Sequence, residues 1–198
     1  MATKKKRPVK FRAYDLPAVL SPKPEKLIFG ADPGSRNFGA SLVGVVRGAP
    51  VVYANSVLNF PVNDLISFNG TAAKFLEELD QWMAHKPNGI IAERFQTRGN
   101  GGPLIEMVGS MLGLMHQYKV PMKLTVASAW KNAFNRRFDV DLKEIYPTTS
   151  VEPHQLDACL LAIYGLEKGL GITLNYTPES IIAQAEKKSL IALRRMRT

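Results

Sequence analysis

The sequence contains one cysteine and no long hydrophobic run, and these two deficits exclude several classes of protein. Because Cys159 has no second cysteine to pair with, the chain cannot form an internal disulfide, which fits a reducing cytosol. No apolar run approaches the roughly 20 residues that a membrane-spanning helix needs. The basic start of the chain has no hydrophobic region of the kind found in secretory signals. We therefore expect a cytoplasmic protein, although the "KKKR" stretch leaves nuclear targeting open.

The middle of the chain also lacks net charge, although the whole chain carries +9. Residues 1–26 hold eight lysines and arginines against two acids, and residues 178–198 hold five against two. Between these ends, thirteen basic residues balance thirteen acids. Basic ends on a neutral core favour a polyanionic partner, because bound cationic side chains release the counterions of the polyanion. Solubilising tails would give the same charge pattern.

The apolar runs predict one α/β domain with an extension at each end. We expect an irregular basic arm over 1–26, a folded domain over 27–170 and a basic helical tail over 171–198. Three strands form an antiparallel meander with a tight turn at "RGAP", over 27–32, 38–46 and 51–60. Two more strands alternate with helices, the strands over 89–94 and 122–127 and the helices over 70–85, 102–119, 128–134 and 152–168. The prediction is a mixed five-stranded sheet, three antiparallel strands followed by two parallel ones, flanked by helices.

Two of the predicted strands end in an acidic residue. "LIFGAD" ends at Asp32 and "GIIAE" ends at Glu93. If these strands lie side by side and parallel, both carboxylates reach the same edge of the sheet, where functional groups of α/β proteins collect. Two carboxylates at one edge repel each other unless they share a cation. Taken singly, turn chemistry in "DPG" explains Asp32 and a buried structural role explains Glu93.

A third acidic element is the predicted helix that begins at "EPHQLDA". His154 and Asp157 are three residues apart, so they share one face of this helix. A cap and the helix dipole explain each of them singly. Together with Asp32 and Glu93 they suit Mg²⁺ or Mn²⁺, whereas the lack of a cysteine cluster disfavours zinc. Two such ions ~4 Å apart, bridged by Asp32 and Asp157, can activate a water and stabilise the leaving 3′ oxygen in phosphodiester hydrolysis.

Three segments resemble the three acidic motifs of the RuvC family of Holliday junction resolvases, in order, spacing and structural element: "IFGADPGSRNFG", "GIIAERFQTRG" and "HQLDACLLAIYG". The resemblance spans about residues 27–168. It implies a ribonuclease H-like fold and Mg²⁺-dependent nicking of four-way DNA junctions by a homodimer, with Mn²⁺ as a substitute ion. By position, Asp32, Glu93 and Asp157 match the catalytic carboxylates, and His154 matches a position that holds histidine or aspartate. The basic tails and "AERFQTRGNGG" resemble bacteriophage and viral members.

Seven residues are candidates for contact with DNA. The family has an aromatic residue after the second acid that wedges against junction bases. Phe95 lies near this position, shifted by one residue, and a core role at the strand end explains it equally well. The other candidates are basic and either flank the acids or stand where the family has a basic loop: Arg36, Arg94, Arg98, Lys131, Arg136 and Arg137. Nearby acids dilute the charge of the last three, for which a solvated face is the alternative.

The helix predicted over 102–119 is apolar on two sides. One stripe suffices to pack it on its own sheet, formed by Ile105, Val108, Leu112 and Met115. The family places its dimer contact on this helix, so we expect the second stripe to meet a partner subunit through Met107, Met111 and Leu114. Burial of both stripes in one large core is the alternative.

Three other functions remain compatible with parts of the sequence. A nuclease of the same fold that cleaves flaps, Y-forks or RNA–DNA hybrids would carry the same motifs. An actin-like kinase also opens with an Asp-x-Gly hairpin, but it needs two such lobes and has no His-x-x-Asp helix at this place. A non-catalytic DNA-binding module would use the basic ends and keep the acids as structural groups, which the complete acid set disfavours. We expect neither a membrane nor a small molecule as partner.

Overall fold

A five-stranded mixed sheet forms the centre of the protein, as the sequence predicts. The computed structural model describes residues 16–34, 37–59, 72–94 and 102–194, without the side chains of residues 59, 102–104 and 190–194. The spatial order of the strands is β3-β2-β1-β4-β5. Their bounds are β1 Lys26–Pro33, β2 Asn37–Val46, β3 Ala49–Asn59, β4 Gly89–Glu93 and β5 Met122–Thr125. The first three strands are antiparallel, whereas β4 runs parallel to both β1 and β5.

Helices cover both faces of this sheet. They are α1 Ala72–Met83, α2 Gly102–His116, α3 Ala127–Phe138, α4 Leu142–Ile145, α5 Pro153–Tyr164 and α6 Pro178–Arg194. A 3₁₀ turn follows α4 over Tyr146–Thr148, and a π turn extends α5 over Gly165–Gly169. Helix α4 and its 3₁₀ turn are not predicted from the sequence, because four residues are too short to show helical periodicity. Within the described ranges, no helix is long and apolar enough to span a membrane.

The turn between β2 and β3 is the tight turn that "RGAP" predicts. Arg47 and Gly48 both have positive φ, 52° and 76°. Positive φ at both residues of a two-residue loop matches the right-handed twist of the flanking strands, so the hairpin closes without splaying them. This hairpin places β2 along the full length of β1, with Gly39 opposite Asp32.

Two glycines allow α5 to lie directly on the sheet. A Cβ atom at Gly30 in β1 would stand 2.0 Å from the carbonyl oxygen of Ala158, and one at Gly39 in β2 would stand 1.9 Å from that of His154. Both distances are far below van der Waals contact, so only glycine fits there. The amino end of α5 is therefore held close above the ends of β1 and β2.

The sheet separates two hydrophobic cores. One core contains β-strand residues and the buried faces of α1 and α2, with Phe29 and Trp82 in an edge-to-face contact at 5.6 Å between ring centroids. The other contains α3, α5 and α6, and includes Trp130 and the fully buried Cys159. Burial raises the pKa of the Cys159 thiol to about 12, so it acts as a small apolar residue.

Helix α2 buries most of both predicted stripes, which is the alternative stated above, because Val108 and Met115 are buried together with the methionines of the second stripe. Met107 and Met111, predicted to meet a partner subunit, are 1% and 0% exposed in the first core. Ile105, predicted to pack on the sheet, is 47% exposed. Leu114, the third predicted partner residue, is half-buried against the same core. The cause is that α2 and α1 share one face of the sheet, which buries the methionine side of α2.

Both ends of the described chain pack on the domain. Residues 16–25 form neither helix nor strand, and the side chains of Leu16 and Leu20 pack against the first core. At the other end, α6 buries Ile181 in the second core. The side-chain amide of Gln184 in α6 accepts from the Val52 N–H of β3 at 3.0 Å and donates to the Pro50 carbonyl at 3.3 Å. Helix α6 thus covers part of the free edge of β3.

Candidate active site

The ends of β1 and β4 bring two acidic residues to one edge of the sheet. These strands are parallel neighbours, with Ala31 paired to Ala92. Asp32 and Glu93 each follow directly, so both carboxylates emerge at the same edge, as the sequence predicts. Asp32 is 7% exposed and Glu93 is half-buried.

The amino end of α5 supplies the other two predicted site residues. Glu152 caps this helix, because its side chain accepts hydrogen bonds from the backbone N–H groups of His154 and Gln155. The side chain of Gln155 in turn accepts from the backbone N–H of Glu152 at 3.3 Å, which completes a capping box. The cap fixes the first turn of α5, which carries His154 and Asp157 above the strand ends.

Asp32 and His154 form an ion pair across the site. His154 Nδ1 lies 2.6 Å from Asp32 Oδ2. The hydrogen bond to Asp32 raises the pKa of His154 above its usual value, and burial of the ring works against this rise. The pair therefore favours the charged form of the imidazole.

Glu93 is bonded to a buried tryptophan that the sequence analysis did not include in the site. Trp130 Nε1, at the start of α3, donates to Glu93 Oε2 at 2.9 Å. Burial of Glu93 and then the charge of Asp32 raise the pKa of Glu93 to about 7, although the Trp130 bond and Lys131 lower it. The Glu93 carboxyl is therefore protonated more readily than an ordinary glutamate.

Asp157 receives a hydrogen bond on each oxygen. Lys131 Nζ lies 2.7 Å from Oδ2, and Tyr146 Oη donates to Oδ1 at 2.5 Å. Burial raises the pKa of Asp157, while the Lys131 ammonium opposes this rise. The ammonium also lies 4.9 Å from the ring centroid of Trp130 and 5.4 Å from that of Tyr146, within range of cation–π attraction.

These four side chains fit a hard divalent cation in chemical type. Three carboxylates and an imidazole are ligands that Mg²⁺ and Mn²⁺ accept. The acids also interact electrostatically, because the charge of Asp32 raises the pKa of both Glu93 and Asp157. In the described part of the chain, however, no three histidine, cysteine or acidic side chains are arranged around one point as a preformed metal cage. Each acid has its own protein partner: His154 for Asp32, Trp130 for Glu93, and Lys131 with Tyr146 for Asp157.

Six of the seven predicted DNA-contact residues fall into three groups. Arg36, Phe95 and Arg98 lie outside the described residues. Arg94 and Arg136 are exposed. Lys131 pairs with Asp157, and its side chain remains 32% exposed.

Arg137 is exposed and also makes several contacts within the protein. Its guanidinium forms an ion pair with Glu167 of the π turn and donates to the Leu174 carbonyl at 2.7 Å. It also stacks on the rings of Phe138 and Tyr176, at 5.0 and 4.6 Å from their centroids. Arg137 therefore ties α3 to the segment after α5, because its donors meet protein acceptors there.

A cavity of about 610 Å³ lies between α3 and the end of α5. Trp130 contributes to its wall, and so do Arg136, Glu167 and Tyr176. None of the three site acids lines it, so the cavity is not where the site chemistry is placed.

Sequence reasoning missed Trp130 and Tyr146. Both lie in the segment between β5 and α5, which resembles the family only through its basic residues. A tryptophan next to Lys131 and a tyrosine eleven residues before Asp157 give no periodic signal of a shared site. Their contacts arise only when α3 and the 3₁₀ turn pack beside the sheet edge.

Sheet order, strand directions and covering helices together define the ribonuclease H-like fold that the motifs predict. Solved structures of RuvC from Thermus thermophilus have this fold. One is RuvC in complex with Holliday junction substrate, 21% identical with a TM-score of 0.55, covering 76% of this chain and 99% of that chain. A second RuvC structure from the same organism is 18% identical with a TM-score of 0.55, covering 75% and 98%.

Other comparisons are weaker or give no match. The yeast mitochondrial Holliday junction resolvase Ydc2 is 18% identical with a TM-score of 0.44, covering 88% of this chain and 82% of that chain. No protein-family model matches the sequence. No curated protein matches it either. The likeness to the Thermus structures establishes the fold, and the activity has to be argued from the site.

Proposed function

We propose that the protein is a structure-specific DNA endonuclease that resolves four-way junctions by divalent-metal-dependent hydrolysis of phosphodiester bonds. The observation that carries this proposal is the meeting of Asp32, Glu93 and Asp157 at one edge of the sheet, where their charges act on one another. RuvC of the same fold has been solved with a Holliday junction, which supports branched DNA as the substrate class.

Asp32, Glu93 and Asp157 are the residues that would hold the metal, with His154 beside them. When bound, a pair of Mg²⁺ ions supplies an activated water and stabilises the leaving 3′ oxygen, and Mn²⁺ is expected to substitute. Other side chains of the site orient the carboxylates and offset their charge. His154 aligns Asp32, and Lys131 offsets the charge of Asp157 while its partly exposed ammonium remains able to meet a phosphate.

The basic residues around this edge and at the chain ends would bind the DNA backbone. Exposed Arg94 directly follows Glu93, and exposed Arg136 lies on α3, the helix that carries Lys131. Contacts of this kind position the duplex arms without reading sequence. Arg36, Phe95 and Arg98 belong to the same proposal through their positions in the sequence.

We also infer a homodimer, because two symmetric cuts in a four-way junction call for two active sites related by a two-fold axis. The burial of α2 moves the proposed contact from the methionines to the opposite side of the helix. There Ile105 is 47% exposed, and a Cβ atom at Gly109 or Gly113 would meet no atom within 4 Å. Because neither glycine carries a side chain, a second helix could approach this side of α2 closely.

A cleavage assay with matched substrates tests the function. A four-way junction, a Y-fork, a flap, a linear duplex and an RNA–DNA hybrid of shared sequence are incubated with the protein and Mg²⁺ or Mn²⁺. We expect paired, symmetric nicks in the junction, slower cleavage of the other substrates, and no cleavage in EDTA. Preferred cleavage of the fork, flap or hybrid would assign the protein to a related nuclease function, and metal-independent cleavage would contradict the proposal.

A further inference from the structure

Two aromatic side chains outside the predicted ligand set hold the carboxylates of the site. The indole N–H of Trp130 donates to one oxygen of Glu93, and the hydroxyl of Tyr146 donates to one oxygen of Asp157. The terminal torsion of a carboxylate has broad, shallow preferences, so an unbonded acid at a strand end or helix start samples many orientations. A fixed donor on one oxygen removes this freedom and selects which lone pairs of the carboxylate face the site.

Trp130 is itself unable to turn. It is 1% exposed and belongs to the second core together with Phe134 of the same helix. An indole in a close-packed core cannot rotate without displacing its neighbours. Its N–H is therefore a rigid donor, and Glu93 Oε2 is the oxygen that it fixes.

Tyr146 lies in a 3₁₀ turn that is flanked in the sequence by hydrogen-bonded residues on both sides. On one side, Asp141 caps α4 by accepting from the Lys143 N–H at 2.9 Å. On the other, Glu186 of α6 accepts from the Thr149 hydroxyl at 2.8 Å and from the Ser150 N–H at 3.0 Å. The 3₁₀ turn between these anchors carries the phenol to Asp157.

The same two rings also flank the cation of the site. Lys131 Nζ lies within 5.4 Å of both ring centroids while it bonds to Asp157 Oδ2. Two carboxylates, those of Glu93 and Asp157, are thus contacted by a group of three neighbouring side chains: Trp130, Tyr146 and Lys131.

We propose that Trp130 and Tyr146 are positioning residues that fix which oxygens of Glu93 and Asp157 are presented to a divalent cation. This inference rests on the metal site of the proposed function. Partners of metal ligands typically change metal affinity by about 10- to 100-fold when they are removed. Tyr146→Phe removes one donor and keeps the ring, whereas Trp130→Phe removes one donor and also replaces the indole by a smaller ring.

The test is a Mn²⁺ titration of the DNA-free protein followed by electron paramagnetic resonance. We expect each variant to bind Mn²⁺ about tenfold more weakly than the wild type. Phe134→Leu is the matched control, since it perturbs the same helix and core without touching an acid, and it should bind as the wild type does. In a Glu93→Gln background, Trp130→Phe should have no further effect, because its influence passes through that carboxylate.

The outcomes separate this inference from the proposed function. Wild-type Mn²⁺ affinity in a folded Tyr146→Phe or Trp130→Phe protein overturns the positioning role, even if the protein cleaves junctions. If Trp130→Phe does not fold, Tyr146→Phe alone decides, because it removes a single oxygen atom. If the two variants bind Mn²⁺ more weakly and the wild type itself cuts no junction, the positioning role is supported and the proposed function is overturned instead.

Discussion

His154 Nδ1 lies 2.6 Å from Asp32 Oδ2, although 122 positions separate the two residues in the sequence. The contact requires α5 to approach the ends of β1 and β2 more closely than side chains normally allow. Gly39 makes this possible, because a Cβ atom there would stand 1.9 Å from the carbonyl oxygen of His154. The His154–Asp32 contact therefore depends on a glycine at position 39 as well as on the two side chains themselves.

Gly39→Ala should push α5 off the sheet and separate His154 from Asp32. We expect a loss of about 2–4 kcal/mol in the free energy of unfolding, since overpacking against backbone cannot be relieved by a side-chain rotation. Urea unfolding at neutral pH measures it. Gly169→Ala is the control, because a Cβ atom there meets nothing within 4 Å, and it should leave stability unchanged. Equal stability of Gly39→Ala and wild type would show that α5 is not held as described.

The raised pKa of Glu93 predicts how stability varies with pH in the absence of divalent cations. The folded protein keeps the Glu93 proton up to about pH 7, whereas the unfolded chain loses it near the usual value of 4.5. Between these values the folded state binds more protons, so the free energy of unfolding falls as pH rises. Urea unfolding in EDTA across this range should show the fall for the wild type and a flatter profile for Glu93→Gln. Identical profiles would mean that Glu93 ionises normally.

Arg136 and Arg137 are adjacent in the sequence but should respond differently to substitution. Arg136→Ala should weaken binding to every DNA shape and lower the salt slope of binding by about one, as expected for one phosphate contact. Arg137→Ala should instead cost about 1 kcal/mol of stability, because it breaks the contacts with Glu167 and Leu174. Salt-dependent DNA binding and urea unfolding of both variants compare the two. If Arg137→Ala weakened DNA binding and left stability unchanged, Arg137 would be assigned to the DNA interface.

Ile105→Glu should produce a folded monomer that has lost paired cleavage. A charge on the exposed strip of α2 disfavours a close approach of two copies, while the buried methionines of the helix stay in place. Sedimentation measures the oligomeric state, and a junction carrying two labelled strands measures paired cuts. Leu170→Glu is the control, since Leu170 is also exposed, at 38%, and lies elsewhere. A wild type that is monomeric both alone and on junction DNA would refute the dimer and favour a simple nickase of branched DNA.

The sequence predicts the parts of the site that follow from periodicity. Asp32 and Glu93 end apolar runs, and parallel neighbouring strands bring their ends to one edge. His154 and Asp157 share a helix face because they are three residues apart. The sheet order and the antiparallel meander follow from the same patterns, and the structure confirms them.

Other features depend on contacts that no local pattern encodes. Helix α2 is apolar on two sides, so its periodicity cannot decide whether Met107 or Ile105 faces the core. Arg137 looks like a free basic residue because its partner Glu167 is 30 positions away. Trp130 reaches Glu93 from a helix 37 positions further along the chain, and only the packed fold brings them together.

The most direct test of the account compares cleavage and binding of one four-way junction by the wild type and three carboxylate variants. Asp32→Asn, Glu93→Gln and Asp157→Asn should each lower the single-turnover rate by about a thousandfold or more, because each removes several kcal/mol of transition-state stabilisation. Junction binding should stay within a few-fold of wild type, since phosphate contacts supply most of the affinity. Glu144→Gln, which changes an exposed acid outside the site, should cleave normally. Wild-type cleavage by any one of the three carboxylate variants would contradict the assignment of this edge as the active site.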